Sequence, residues 1–360
     1  MIATRHLTAF GSVPTKSGQG GPLIGVIGST GLGSLRTGIL IFLRRLGFVA
    51  ALAALVVAVA SCGGGSKSST TAGAQANLIR SSPANGKTTI TVGSKNFSEE
   101  FILGEVYAQA LRAAGYNVKT RLNLGSEKVA LNAVKDGQVS GYPEYTSTAL
   151  GSFFHVPTSQ IPSNANQAYS QAKADLAREG IVAFPPTPFA DSNAVGTLAT
   201  TARRLGLRDI SDLTGKSQSL VLAGSPECRG RGDCLAGLEQ TYGLRFKQFK
   251  PVAIGTRYSV LDNGNASLSI LFTSDAQLAS LTKYTILWDD KGLIPAGNVI
   301  FIASKQLVDR AGPDLLATIE KVQGNLTLPV IQELNFRVDI GKQSPAAVAR
   351  QYLTQLGYVR

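Results

Sequence analysis

Two histidines, three cysteines, one methionine and one tryptophan in 360 residues set the first limits on what this chain can do. Metal sites with N and S ligands draw on clusters of His and Cys. His6, His155, Cys62, Cys228 and Cys234 are too few and too scattered to build a conventional one. A Ser-His-acid triad needs a histidine base. After Cys62 only His155 is available, and it sits in the loop-like Phe154-His155-Val156-Pro157, where a surface histidine is the simpler reading. Acids are absent before Cys62, although Arg5, Lys16, Arg36, Arg44 and Arg45 all lie there. The formal charge of +12 thus falls to +7 over the remainder, where basic residues are scattered among acids as on a solvated surface. No basic stripe interleaves with aromatics, which argues against nucleic acid as a partner. What is present in quantity is apolar: 44% hydrophobic against 16% charged, enough for a sizeable globular core in one large or two medium domains.

A long hydrophobic run is also missing. The uncharged stretch Leu46 to Ala60 has 15 residues, short of the roughly 20 a spanning helix needs. With Arg44-Arg45 before it and Ser61-Cys62 after it, this stretch reads as the h-region of a cleaved signal peptide over 40–61. Val59-Ala60-Ser61-Cys62 resembles a bacterial lipobox, which implies that Cys62 is lipidated, becomes the first mature residue and anchors the protein on the outer face of the cytoplasmic membrane. An ordinary secretory signal explains the placement of Cys62 less well. The match of Arg44-Arg45-Leu46-Gly47-Phe48 to a twin-arginine motif is loose. Residues 1–39 precede the signal and read as an extension upstream of the true start, and 62–87, rich in Gly, Ser, Thr and Ala, as a flexible tether.

From Thr88 the pattern changes to alternating strands and helices. Thr89-Ile90-Thr91-Val92 is a short strand, and Ser98-Glu99-Glu100 supplies an N-cap and first-turn acids to a helix running to Gly115. Tyr116, Val118, Thr120, Leu122 and Leu124 alternate as a strand does, and Ser126 opens a helix that Gly137 closes. Helices are expected at 171–179 and 235–242, and strands at 181–184, 220–223 and 267–272. Ser344-Pro345 starts a last helix and Gly357 stops it. The order implies a largely parallel sheet covered by helices, in two α/β lobes with a ligand cleft between them. Thr214-Gly215-Lys216-Ser217 is a false phosphate loop, because Ile210 occupies the place of its first glycine; a turn after a short helix at 210–213 is expected instead.

Gly93-Ser94-Lys95-Asn96-Phe97-Ser98-Glu99-Glu100, Ile102-Leu103-Gly104-Glu105 and Gly141-Tyr142-Pro143-Glu144-Tyr145-Thr146-Ser147-Thr148 together resemble the osmoprotectant-binding family of ABC-importer receptors. So do Pro226-Glu227-Cys228, Arg231, Asp233-Cys234, Phe272-Thr273-Ser274-Asp275 and Asp289-Asp290-Lys291-Gly292, in the family's order. The resemblance spans essentially 88–360 and implies a type II periplasmic-binding fold, with lobe 1 at 88–190 plus 299–360, lobe 2 at 191–298, and two crossing strands between. It also implies a monomeric receptor without cofactor that closes on a glycine betaine, choline or carnitine type of osmolyte and delivers it to a membrane permease driven by a cytoplasmic ATPase. Aromatic faces attract a quaternary cation, and Lys, Thr and Arg donors hold a carboxylate. Carried over by motif, the ligand residues are Lys95, Tyr145, Thr148 and Arg231, with positions 193 and 272 completing the set.

The chain departs from the family at the cation end. Asp191-Ser192-Asn193-Ala194 lies where many relatives have a tyrosine, Phe272 replaces another, and Ala296-Gly297-Asn298 a third. Phe272 keeps a π face, whereas Asn193 and Gly297 offer none. A different small polar or zwitterionic solute is therefore a second reading, and an enzyme on the same bilobal fold a third, disfavoured by the shortage of nucleophile and base. Cys228 and Cys234 enclose five residues including Gly230 and Gly232. Export favours their oxidation to a disulfide that stiffens the loop carrying Arg231.

Overall fold

The protein is described by a computed structural model over residues 77–280 and 282–360. The expected signal peptide, the lipid-bearing Cys62 and the tether up to residue 76 lie outside the described residues. Among those described, no helix is long and apolar enough to cross a membrane.

Packing against the body of the fold already includes residues before the pattern change at Thr88. The Ile79 N–H donates to the Tyr358 carbonyl at 2.9 Å, and Asn85 Nδ2 to the Ala114 carbonyl at 2.8 Å. Pro83–Lys87 forms a 3-10 turn. Residues 79–87 are thus fastened to the body, not part of a free tether, because Ile79 finds an apolar berth that the polar composition around it concealed.

Strands β1 (Thr89–Gly93), β2 (Asn117–Arg121), β3 (Gly141–Tyr145), β4 (Ile181–Ala183) and β5 (Ala190–Asp191) lead to a crossing at Ser192. Beyond it come β6 (Asn193–Leu198), β7 (Val221–Gly224), β8 (Gln248–Pro251), β9 (Leu268–Phe272) and β10 (Tyr284–Ile286), and the chain returns through β11 (Gly297–Ser304). The first sheet has the order β2-β1-β3-β11-β4 with β5 paired to β11; the second has the order β10-β6-β9-β7-β8. β1, β2 and β3 are parallel as expected, and β7 is parallel to both its neighbours. The returning β11 and the incoming β6 run antiparallel to theirs. Two sheets joined by two adjacent crossings make a two-lobed α/β fold. The crossings meet where Gly297 pairs with Asp191.

The longer helices are α1 (Ser98–Ala113), α2 (Glu127–Lys135), α3 (Ala165–Arg178), α4 (Leu235–Tyr242), α5 (Pro313–Gln323), α6 (Leu328–Asp339) and α7 (Pro345–Gln355). The last three return to the first lobe, where Leu315, Ile319, Ile331, Val348 and Leu353 pack with Ile102, Val106 and Leu111 of α1. The second lobe has its own core, with Leu222, Leu238, Leu268 and Ile270 at its centre. Ser344 caps α7 through the Ala347 N–H, as its sequence signature implied. At α1 the expectation fails: Phe97 is the N-cap, and Ser98 is already helical. Glu99 and Glu100 are buried rather than solvated at the dipole, and their partners lie in the interior. α3 begins earlier than expected, because the side chain of Asn164 accepts the Asn166 and Gln167 N–H groups.

Candidate functional site

The cleft between the lobes holds a cavity of about 90 Å³, room for a few waters and so for one small solute. All six ligand positions read from the sequence line it: Lys95, Tyr145, Thr148, Asn193, Arg231 and Phe272. Lys95, Tyr145 and Thr148 come from the first lobe, at the ends of β1 and β3, where open α/β sheets present ligand groups. Asn193 and Phe272 pair across β6 and β9 of the second.

Lys95 is fixed by the turn between β1 and α1. Its N–H donates to Glu100 Oε2 at 2.9 Å, and its Nζ lies 2.5 Å from Glu144 Oε1 and 3.6 Å from Glu100 Oε1. Burial alone would depress this ammonium, but the two carboxylates outweigh it and hold the pKa above the ordinary lysine value. Burial pushes Glu100 up to about 8 despite the pull of Lys95. Glu144 also accepts the Tyr142 hydroxyl and the Tyr145 N–H, at 2.8 and 2.7 Å. The Lys95 charge is therefore matched internally.

Arg231 lies on the loop between β7 and α4. Cys228 and Cys234 are joined in a disulfide with their Cα atoms 5.1 Å apart, which closes that loop as expected. The guanidinium grips Asp233 with two bonds, Nε to Oδ1 at 2.8 Å and Nη2 to Oδ2 at 2.6 Å. Its Nη1 reaches Glu127 of the first lobe at 3.3 Å, which closes an ion pair across the cleft. Burial would raise the Asp233 pKa, yet the arginine keeps it low. Asn193 Nδ2 adds a bond to the same carboxylate at 3.1 Å. Arg231 and Asn193 thus face the cavity while bound to Asp233, an arrangement with no local sequence signature at position 193.

Three aromatic rings line the cavity: Phe97, Tyr145 and Phe272. Phe97 packs 5.3 Å from Phe272 across the cleft and 6.4 Å from Tyr145. Lys95 Nζ lies 4.4 Å from the Tyr145 centroid, and the Arg257 guanidinium 4.0 Å from that of Phe272. One face of each ring is thus already used by a cation of the chain itself. Arg257, which sequence reasoning missed, is paired through Nε and Nη2 with Asp275, a residue that also accepts the Tyr258 hydroxyl and the Phe272 N–H. At Gly297 a side chain is sterically barred: a Cβ there would lie 2.3 Å from Ser147 Oγ. A tyrosine could not enter there without rebuilding the crossing.

Asp191, at the first crossing, also lines the cavity and is buried. Its Oδ1 accepts the Thr273 hydroxyl at 2.8 Å and the Ser274 N–H at 2.9 Å. Burial, with Glu99 and Asp275 nearby, lifts its pKa to about 7. Glu99, raised chiefly by burial, accepts the Tyr145 hydroxyl at 2.5 Å and Asn335 Nδ2 at 2.7 Å. The sequence flagged positions 191–194 only as a place without tyrosine. Asp191, the one acid in Phe189–Val195, was the overlooked signal.

A bilobal α/β receptor with a small, aromatic and charge-lined cleft is the class these features define. Residues 88–355 match the family described as the substrate-binding domain of the ABC-type glycine betaine transport system, and the chain belongs to that family. It is a substrate-binding protein, not an enzyme. It is 30% identical over 278 residues to the glycine-betaine-binding protein of Pseudomonas aeruginosa, covering 74% of this chain and 88% of that one. With the ergothioneine transport permease/ergothioneine binding protein of Helicobacter pylori it shares 26% identity, over 74% of this chain and 48% of that longer protein. A solved glycine betaine/carnitine/choline ABC transporter structure superposes with a TM-score of 0.59 at 24% identity, covering 74% of this chain and 98% of that one, and so shares the fold.

Proposed function

We propose that this protein is the extracytoplasmic receptor of an ABC importer for a quaternary ammonium osmoprotectant of the glycine betaine, choline or carnitine type. The carrying observation is that side chains from both lobes converge on one small cavity, with π faces at Phe97, Tyr145 and Phe272 beside donors at Lys95, Thr148 and Arg231. A quaternary cation has no N–H to donate, so rings and carboxylates are its natural partners. The ligand's carboxylate, where it has one, turns to Lys95 and Arg231. On this reading lobe 1 is 88–190 plus 299–360 and lobe 2 is 191–298. The protein works as a monomer held to the membrane by lipid on Cys62, and passes its ligand to a permease coupled to a cytoplasmic ATPase. Cys62→Ala should then release exported protein from the membrane, whereas tight retention would remove the lipid anchor from the account.

The incomplete ring cage favours a second reading, a receptor for another small polar or zwitterionic solute. Calorimetric titration with glycine betaine, choline, carnitine, proline betaine and ectoine separates the two. The first reading expects saturable binding by at least one of the four quaternary compounds. Binding of ectoine alone would contradict it.

A further inference from the structure

Around the cavity, acids and bases are unevenly shared. Lys95 has Glu144 and Glu100, and Arg231 has Asp233 and Glu127, so each cation there is answered by acids. At the crossing end stand Glu99 from α1, Asp191 from β5 and Asp275 after β9, with Arg257 as the neighbouring cation and the Tyr145 phenol between. Arg257 is committed to Asp275. Glu99 and Asp191 have only neutral donors among the described residues: Tyr145, Asn335 and Ser274 for the first, Thr273 and Ser274 for the second. Of these two, Asp191 lines the cavity, is more than nine-tenths buried, and has an Oδ2 that takes no donor among the described residues.

A buried carboxylate facing a ligand space without a cation is an incomplete ion pair, and burying a charge is costly unless a partner completes it. Phe272, Tyr145 and Phe97 line the same cavity, so a cation placed against them sits within reach of Asp191. We propose that Asp191 is the counter-ion for the ligand's ammonium group, so that a carboxylate takes over part of the work of the missing aromatic cage. This deepens the receptor reading above and rests on it. Binding of a cation then ionises Asp191: the protonated carboxyl gives its proton to solvent, and the carboxylate and the ammonium pair in the cleft.

Choline is the probe, because it has no group that titrates near neutrality. With the empty-site Asp191 half protonated at about 7, choline should bind about tenfold more weakly at pH 6 than at pH 8, releasing close to one proton at the lower pH. Calorimetry in two buffers of different ionisation enthalpy reads both. Asp191→Asn should bind choline more weakly at pH 8 and lose the pH dependence. Equal affinity at the two pH values with no proton release overturns the proposal, as does an Asp191→Asn protein that binds like the parent. Should that variant fail to fold, the absence of proton release from the unaltered protein still overturns the proposal. If choline, glycine betaine, carnitine and proline betaine all fail to bind at pH 8, the quaternary ammonium reading falls too; binding of choline without proton release sinks this inference only.

Discussion

The two ends of the cleft solve the problem of buried charge in opposite ways. At the Lys95 and Arg231 end, every cation is held by carboxylates of the chain, and Arg231 spends one nitrogen on an ion pair across the lobes. At the crossing end, Glu99 and Asp191 rely on hydroxyl, amide and backbone donors, and burial lifts both pKa values. The first arrangement fixes geometry and closes the cleft. The second leaves negative potential for a positive ligand group. On the proposed reading, that difference turns the ammonium group of a zwitterion toward the crossing end.

The largest effect is expected on removing the cation at the balanced end. Lys95→Ala leaves Glu144 and Glu100 buried without it, and breaking a buried pair in this way costs about 3–5 kcal/mol. Urea unfolding should show that loss, together with loss of ligand binding.

The opposite response is expected at the crossing. An acid whose pKa rises on folding, here Asp191 from 3.8 to about 7, binds more protons folded than unfolded between those values. Ligand-free stability therefore falls as pH rises through that window and stays low above it. Asp191→Asn keeps an acceptor for Thr273 and Ser274, and should raise stability at pH 8 by up to about 4 kcal/mol while shrinking the difference from pH 5. A destabilised variant at pH 8 would mean that the two ends do not differ as described.

Arg231→Ala should weaken glycine betaine binding tenfold or more, since hydrogen bonds to charged groups are worth about 1.5–3 kcal/mol. Choline, without a carboxylate, should lose much less. Equal losses for the two ligands would assign Arg231 to cleft closure through Glu127 and not to the carboxylate. As a control far from either end, Ser344→Ala removes the cap on the Ala347 N–H and should cost only about 1 kcal/mol, with affinity unchanged.

How legible was this in the sequence? Elements with local grammar were plain: β1, the helix over 235–242, and the Ser344-Pro345 start of α7 all follow from capping, periodicity and glycine stops. Cys228 and Cys234 declared their pairing by spacing and export. The cavity positions came through a family resemblance, and the structure brings all six together. Hidden from sequence were the pairings between distant segments. Arg257 finds Asp275 eighteen residues on, Arg231 finds Glu127 over a hundred residues back, and neither contact leaves a periodic trace. Glu99 and Glu100 misled because first-turn acids usually face solvent. Here the turn after β1 aims them inward to answer Lys95, Tyr145 and Asn335.

A crystal structure of the protein grown with glycine betaine would locate both ends of the ligand in the cleft. The expected complex has the trimethylammonium group against Phe272 and Tyr145 with Asp191 beside it, and the carboxylate turned toward Lys95 and Arg231. A ligand bound in the reverse orientation, or outside the cleft, would contradict it.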